Sequence, residues 1–383
     1  MKESAGHWVG TWTSTPAPIE TIDLVGRTVR MAPRVSIGGS RLRLRLSNAY
    51  GPSRLTVGPI RVALRLAGDE AAKDSVRPVT FGGLPVATIP AGALAVSDPV
   101  ELEVPPLADL AVSVYLPADI PGDFCFTGHS NSRQTSYISP VGCFVDEPRL
   151  PVGEATQAVA LLSAVEVWAP PDVGGIVAFG DSLTDGNLST VDAHARWPDE
   201  LARRLAARRG GRRLGVMNQG FGGNRILFDT RAESGLRRFD RDVLAQSGVT
   251  HVIVLLGIND IRNRNQRPSE VVTAEEMIRG LEQLVIRAHA HGLKVLGGTL
   301  LTFEHETFNP GFYTPEGEAK RQAVNEWIRS SGAFDAVIDF EGALRDPSHP
   351  TRMLPMYDCG DHLHPSDAGY RRMGQIIDLA LFD

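Results

Sequence analysis

The sequence predicts two folds in series, an all-β sandwich over residues 1–172 and an α/β domain built on a five-stranded parallel sheet over residues 173–383. Three observations predict this. From Arg27 to about Leu116, short runs alternate apolar and polar residues at period two and break at Gly and Pro. Beyond residue 172, apolar runs alternate with amphipathic ones, the signature of a parallel sheet covered by helices on both faces. The whole chain, at 383 residues, also exceeds what one hydrophobic core usually supports.

In the first half, Leu42-Arg43-Leu44-Arg45-Leu46 and residues 112–116 read as half-buried antiparallel strands. Turns are expected at Ile37-Gly38-Gly39, Tyr50-Gly51-Pro52, Phe81-Gly82-Gly83 and Pro105-Pro106, and no window carries a long helical stripe. The Pro-rich stretch Ala169-Pro170-Pro171 is a stiff link where few contacts need to cross, so the boundary is placed there. In the second half the expected strands are residues 176–179, 214–217, 252–256, 294–300 and 336–340. The expected helices are residues 193–208, 237–245, 273–291, 316–330 and 366–381. In an open sheet of this kind, ligand and catalytic groups come from loops at the carboxyl ends of the strands.

Composition narrows the function classes. Apolar residues at 42% and charged residues at 22% are globular values. With 45 acidic against 39 basic side chains the net charge is −6, which opposes the positive field of nucleic-acid binders, so no nucleic-acid partner is expected. Three cysteines, none in a CxxC pair, are too few for a disulfide scaffold, although Cys125 and Cys143 could be bridged in an oxidising compartment. No stretch approaches the roughly 20 apolar residues of a membrane span. The start, MKESAGHWVG, lacks the apolar run of a signal peptide, so the chain as it stands is expected in the cytoplasm, or outside the cell if a signal was removed.

Four fragments carry chemistry. After the first strand of the second half, Phe179-Gly180-Asp181-Ser182 puts a serine in a tight turn, where it could present its hydroxyl at the sheet edge or simply cap the next helix. After the second strand, Gly220-Phe221-Gly222-Gly223-Asn224-Arg225 lets backbone N–H groups approach a ligand, yet it matches neither a phosphate loop nor a dinucleotide fingerprint. After the third strand, Gly257-Ile258-Asn259-Asp260 offers an amide that could donate to an oxyanion or cap a turn. Before the last helix, Asp358-Cys359-Gly360-Asp361-His362-Leu363-His364 places an acid three residues before a histidine, a spacing at which Asp361 can hold one ring nitrogen of His364 and free the other. A metal reading of Cys359, Asp361, His362 and His364 competes, but zinc sites want better-spaced ligands. No metal or other cofactor is expected, and His362 is expected to point away.

The four fragments occur in order, each behind the strand where a doubly wound sheet would need it. In this the chain resembles the SGNH hydrolases, the GDSL esterase and lipase family, over about residues 173–383, with Ser182, Gly223, Asn259 and His364 as the four blocks. Arg196-Trp197-Pro198, Arg238-Phe239-Asp240-Arg241-Asp242, residues 321–328 and the leading Trp8-Val9-Gly10-Thr11-Trp12 are similar to the XynE-type aryl or acyl esterases of xylanase gene clusters. The resemblance implies a flavodoxin-like three-layer α/β/α domain behind a jelly-roll-like β-sandwich. It implies Ser182, Asp361 and His364 as catalytic residues, with Ser182, Gly223 and Asn259 as the oxyanion hole.

The implied reaction is hydrolysis of short acyl esters of carbohydrate or aryl alcohols through an acyl-enzyme, with a small-molecule or oligosaccharide ester as partner. Alternatives are a general lipase, thioesterase or lysophospholipase of the same family and, from other classes, a non-catalytic carbohydrate-binding protein or a sugar O-acyltransferase. Asp181, Asp185 and Asp260 are expected to brace turns rather than act in catalysis. Arg225 could meet a polar substrate, though a loop arginine is more often solvated. Trp8, Trp12 and residues 126–131 could stack on sugar, though buried sandwich tryptophans are commoner.

Overall fold

The structure is a computed structural model that describes residues 5–19, 22–262, 267–308 and 311–383. Two compact units divide the chain, Met1–Val173 with Arg213–Met217, and Gly174–Arg212 with Asn218–Asp383. Residues 214–217, read from sequence as a strand of the second domain, group with the first unit as part of Arg213–Met217.

Period-two alternation builds the first unit. In the strand Gly39–Ser47, Leu42, Leu44 and Leu46 are buried while Arg41, Arg43 and Arg45 are half-buried. This strand pairs antiparallel with Leu162–Ala169, which in turn pairs with His7–Thr13. Arg43 and Arg45 both reach the buried carboxylate of Glu166 on the neighbouring strand, which compensates a charge that would be costly alone. A seven-stranded sheet runs in the order Glu154–Thr156, Ser136–Val141, Arg27–Met31, Leu110–Tyr115, Ile60–Ala67, Glu70–Ala71, with Arg77–Val79 also on Ile60–Ala67. Side chains of both sheets, among them Val9, Leu44, Val62, Val112 and Val167, share one apolar core. Among the described residues the unit's only helix is the single turn Lys73–Ser75. Trp12 is in the core, and Trp8 lies edge-on to Trp168 at 5.4 Å under the Arg43 guanidinium. Phe126, Thr127 and His129 are buried, so the segment weighed for sugar stacking faces inward at these three positions.

The five-stranded sheet consists of Gly174–Gly180, Leu214–Gly220, Val249–Leu255, Lys294–Gly298 and Ala336–Ile338, all in the second unit except residues 214–217 of the second strand. They stand in the order second, first, third, fourth, fifth, so the chain reverses direction across the sheet beside the first strand. The pairs first–third, third–fourth and fourth–fifth run parallel, the first of them with a register shift between Gly175 and Ile176. The first strand is buried throughout, as expected for a strand covered on both faces.

The main helices are Trp197–Ala207, Ala274–Ala290, Pro315–Ser330 and Asp367–Ile376. The first begins later than the expected residue 193, because Pro198 is accepted only in the first turn and His194 has a φ of 49°. Thr273 and Glu276 close a capping box at the start of Ala274–Ala290, whose residues Met277, Leu281, Leu284 and Ala288 form the buried stripe. The expected helix over 237–245 is a short α-helix, Gly235–Phe239, followed by a wider π turn, Asp240–Leu244. The expected fifth strand stops at Ile338, because the Asp339 side chain accepts from Gly342 N and starts the helix Phe340–Leu344. Beyond the fourth strand, Arg321 and Asn325 both donate to Leu300 O at 2.9 Å, and Arg321 is held by Glu318 and Glu341. No helix among the described residues is long and apolar enough to cross a membrane.

Candidate active site

The first parallel strand ends at Gly180, and Asp181 caps the single helical turn Ser182–Asp185 by accepting from Leu183 N at 3.0 Å. Gly186, with a φ of 89°, closes that turn by donating to Ser182 O at 2.9 Å. Ser182 is thereby held at the carboxyl end of the strand, 7% exposed. Gly220, at the end of the second strand, must lack a side chain here, since a Cβ would lie 2.1 Å from Asp185 N.

The loop at 358–364 supplies the partner groups. His364 Nε2 lies 2.9 Å from Ser182 Oγ, and His364 Nδ1 lies 2.6 Å from Asp361 Oδ2. The other carboxylate oxygen, Asp361 Oδ1, accepts from His364 N at 2.8 Å, Leu363 N at 3.0 Å and Cys359 Sγ at 3.3 Å. With both oxygens fixed, the imidazole has one tautomer to offer, donating from Nδ1 and accepting at Nε2. His362 turns away as expected: its φ is 61° and its Nδ1 pairs with Asp358 Oδ2 at 2.5 Å.

Gly223 and Asn259 follow the second and third strands, which flank the serine strand on either side. Gly223 has a φ of 78°, a conformation that disfavours a side chain. Asn259 Nδ2 donates to Asn224 O at 3.1 Å, tying the asparagine to the residue after Gly223. Asp260 tethers the same loop by accepting from Ile226 N at 2.7 Å and Leu227 N at 3.2 Å.

Arg238, on the helix Gly235–Phe239, joins these parts. Its guanidinium donates to Gly180 O at 2.8 Å, to Gln219 O at 3.0 Å and to Asn224 Oδ1 at 3.0 Å, and pairs with Asp242 at 3.0 Å. It lies 4.0 Å over the Phe179 ring. One buried cation thus fastens the serine turn, the end of the second strand and the glycine loop.

Burial and hydrogen bonding push the acids apart. Burial raises the Asp361 carboxyl, but the hydrogen bond and charge of His364 and the two N–H donors outweigh it and hold the group well below the ordinary carboxylate range. Behind the serine, burial dominates: Asp181 is pushed up to about 7 and Asp260 to about 6, against the pull of backbone N–H groups and nearby arginines. Burial also pushes the Cys359 thiol up to about 12. Among the described residues, Asp358, Cys359 and Asp361 bring possible metal-ligand atoms within 4.8 Å of one another. Cys359 there is a protonated donor and Asp361 is engaged by His364, a poor fit to a metal, which takes the thiolate.

Of the residues singled out in sequence, Ser182, Asp361 and His364 come together, and Gly223 and Asn259 follow the adjoining strands. Arg225 is a correction. Its side chain is fully buried, with Nη1 on the Glu270 carboxylate, Nη2 2.9 Å from Glu270 O, and the guanidinium over Phe228, so its charge is satisfied inside the fold. Cys125 and Cys143 are free thiols. Sequence reading missed Asn187, whose Nδ2 lies 3.4 Å from His364 Nε2, and Phe308, 59% exposed and edge-on to His364 with ring centroids 5.8 Å apart. It also missed the role of Arg238. For Arg238 the Asp four residues on was a readable signal; for Phe308 there was none.

Residues 178–372 match the GDSL-like Lipase/Acylhydrolase family. No curated protein matches the chain. Among solved structures, an acetylxylan esterase of Geobacillus stearothermophilus is 19% identical with a TM-score of 0.41, covering 53% of this chain and 91% of that one. The aryl esterase of M. smegmatis is 21% identical with a TM-score of 0.41, covering 53% and 95%. A GDSL-like lipase of Bacteroides thetaiotaomicron VPI-5482 is 18% identical with a TM-score of 0.40, covering 54% and 87%.

Proposed function

The chain belongs to the GDSL-like lipase/acylhydrolase family and is a carboxylic ester hydrolase; from that premise we propose that it is a serine esterase removing acetyl or other short acyl groups from carbohydrate or aryl alcohols. Ser182 attacks the ester carbonyl while His364 takes its proton and then returns it to the leaving alcohol, and Asp361 orients the imidazole and stabilises its charged form. Water, activated by the same histidine, then hydrolyses the acyl-enzyme. The Ser182 and Gly223 backbone N–H groups and the Asn259 amide stabilise the negative oxygen of each tetrahedral intermediate.

The observation that carries this reading is the unbroken relay from Ser182 Oγ to His364 Nε2 at 2.9 Å and from His364 Nδ1 to Asp361 at 2.6 Å. A cavity of about 400 Å³ opens beside the acid loop, lined by Met353 and Pro355 as well as by Glu304, His305, Arg352 and His362. We read the all-β first unit as a jelly-roll-like sandwich, and the domain limits as 1–172 and 173–383.

The test is hydrolysis of p-nitrophenyl esters from acetate to palmitate beside acetylated xylan, with Ser182→Ala as control. Acetate preference with acetic acid released from xylan is the expected result. A long-chain optimum would refute the substrate class, and full activity in Ser182→Ala would refute the nucleophile. Absence of turnover together with no labelling by an organophosphate would leave a binding protein.

A further inference from the structure

We propose that Arg262 and Glu306 form a clamp that locks the side-chain amide of Asn259 in its donating orientation, a positioning role that rests on reading Asn259 as an oxyanion donor. Arg262 lies three residues after Asn259 in the helical turn Ile258–Arg262, so both side chains fall on one face. Arg262 Nη1 donates to Asn259 Oδ1 at 3.0 Å, and its Nη2 donates to Glu306 Oε2 at 2.8 Å. All three side chains are buried.

A primary amide can be turned over with little change of shape, and its partners decide which end is nitrogen. Here a flip would point the amide N–H groups at the guanidinium and set Oδ1 against the Asn224 carbonyl that now accepts from Nδ2. Two attractive contacts would become two repulsive ones, so the guanidinium fixes which way the donor faces. Glu306 in turn fixes the guanidinium, which has one prong on each partner. An isosteric apolar pair is often as stable as a buried ion pair, which makes orientation the better account of this one than stability.

The clamp also reaches the other half of the machinery. Next to Glu306, Thr307 N donates to Asp361 O at 3.0 Å, and Phe308 packs edge-on to His364. Three consecutive residues therefore register the oxyanion donor against the acid and base.

The experiment is a double-mutant cycle on the full chain, with kcat and KM for p-nitrophenyl acetate as readouts. Arg262→Met with Glu306→Gln removes the clamp and leaves no lone buried charge. Loss of a full oxyanion donor costs on the order of 10²–10³-fold, so a misoriented one is expected to lower kcat by roughly 10–100-fold with KM nearly unchanged. In an Asn259→Ala background the same pair of substitutions is expected to cost nothing further, a result that a merely structural role would not give. Arg262→Lys keeps the charge beside Glu306 and cannot span both partners, so it serves where the double variant fails to fold; it too should lower kcat. Full activity in the clamp variants with an impaired Asn259→Ala overturns the clamp alone, as does an undiminished further loss in the Asn259→Ala background. Full activity in Asn259→Ala overturns the oxyanion reading and the clamp with it.

Discussion

Asp361→Asn tests the acid–base relay most sharply, because the amide it introduces is nearly isosteric and can sit in only two ways. In the native site Asp361 Oδ2 accepts from His364 Nδ1 at 2.6 Å, which leaves Nε2 to take the proton of Ser182. With the amide nitrogen at that place, Nδ1 must accept, so Nε2 carries hydrogen and has no lone pair for the serine. The opposite orientation would restore the tautomer, but it sets the amide nitrogen against the three donors now on Oδ1, namely His364 N, Leu363 N and Cys359 Sγ. At about 1 kcal/mol for each hydrogen bond lost, that orientation lies roughly 3 kcal/mol higher and holds under about 1% of molecules. The expected loss in kcat thus lies between about 10²-fold, from this minor population, and ~10⁴-fold, the effect of an enforced wrong tautomer. Steady-state hydrolysis of p-nitrophenyl acetate measures it, with a melting curve to show that the variant is folded. More than about a tenth of native activity in a folded variant would refute the relay.

Two further outcomes follow from burial. Asp181 is pushed up to about 7 by desolvation, far above its unfolded value near 3.9, so its neutral form is favoured in the fold and native stability falls as pH rises between about 4 and 7. Asp181→Asn keeps an oxygen for Leu183 N and cannot ionise; urea unfolding should show it gaining on the native protein at pH 8 relative to pH 5, by at most roughly 3 kcal/mol, and a pH-independent difference would refute this. Cys143 is exposed while the Cys359 thiol is pushed up to about 12, so iodoacetamide at pH 8 should modify Cys143 well before Cys359, as read by mass spectrometry; first modification at Cys359 would refute it.

Much of the fold was legible because its signals are local. Leu42, Leu44 and Leu46 alternate with arginines, and the strand they build buries the three leucines as that period requires. Ser182, Gly223, Asn259, Asp361 and His364 each sit directly behind a strand or before a helix, where short loops confine them, so the motif and its setting could be read together. Boundaries were less legible. Residues 193–196 carry no sign of being non-helical except Pro198 just beyond them, and Phe340 reads as strand until Asp339 is seen capping the following turn. Arg225 looked available on its loop, and only its closure onto Glu270, 45 residues away, takes it out of solvent.

The sequence by itself determined the periodicities, the alternation of strand and helix beyond residue 172, and the residue types at the strand ends. Tertiary structure alone decided the strand order that places the second and third strands on either side of the serine strand, and the long-range contacts that complete the site. Ser182 meets His364 across 182 positions, Arg238 reaches Gly180 across 58, and Arg262 reaches Glu306 across 44. Such contacts depend on how intervening loops close and on which buried donor finds which acceptor, and neither is written in the propensity of any local window.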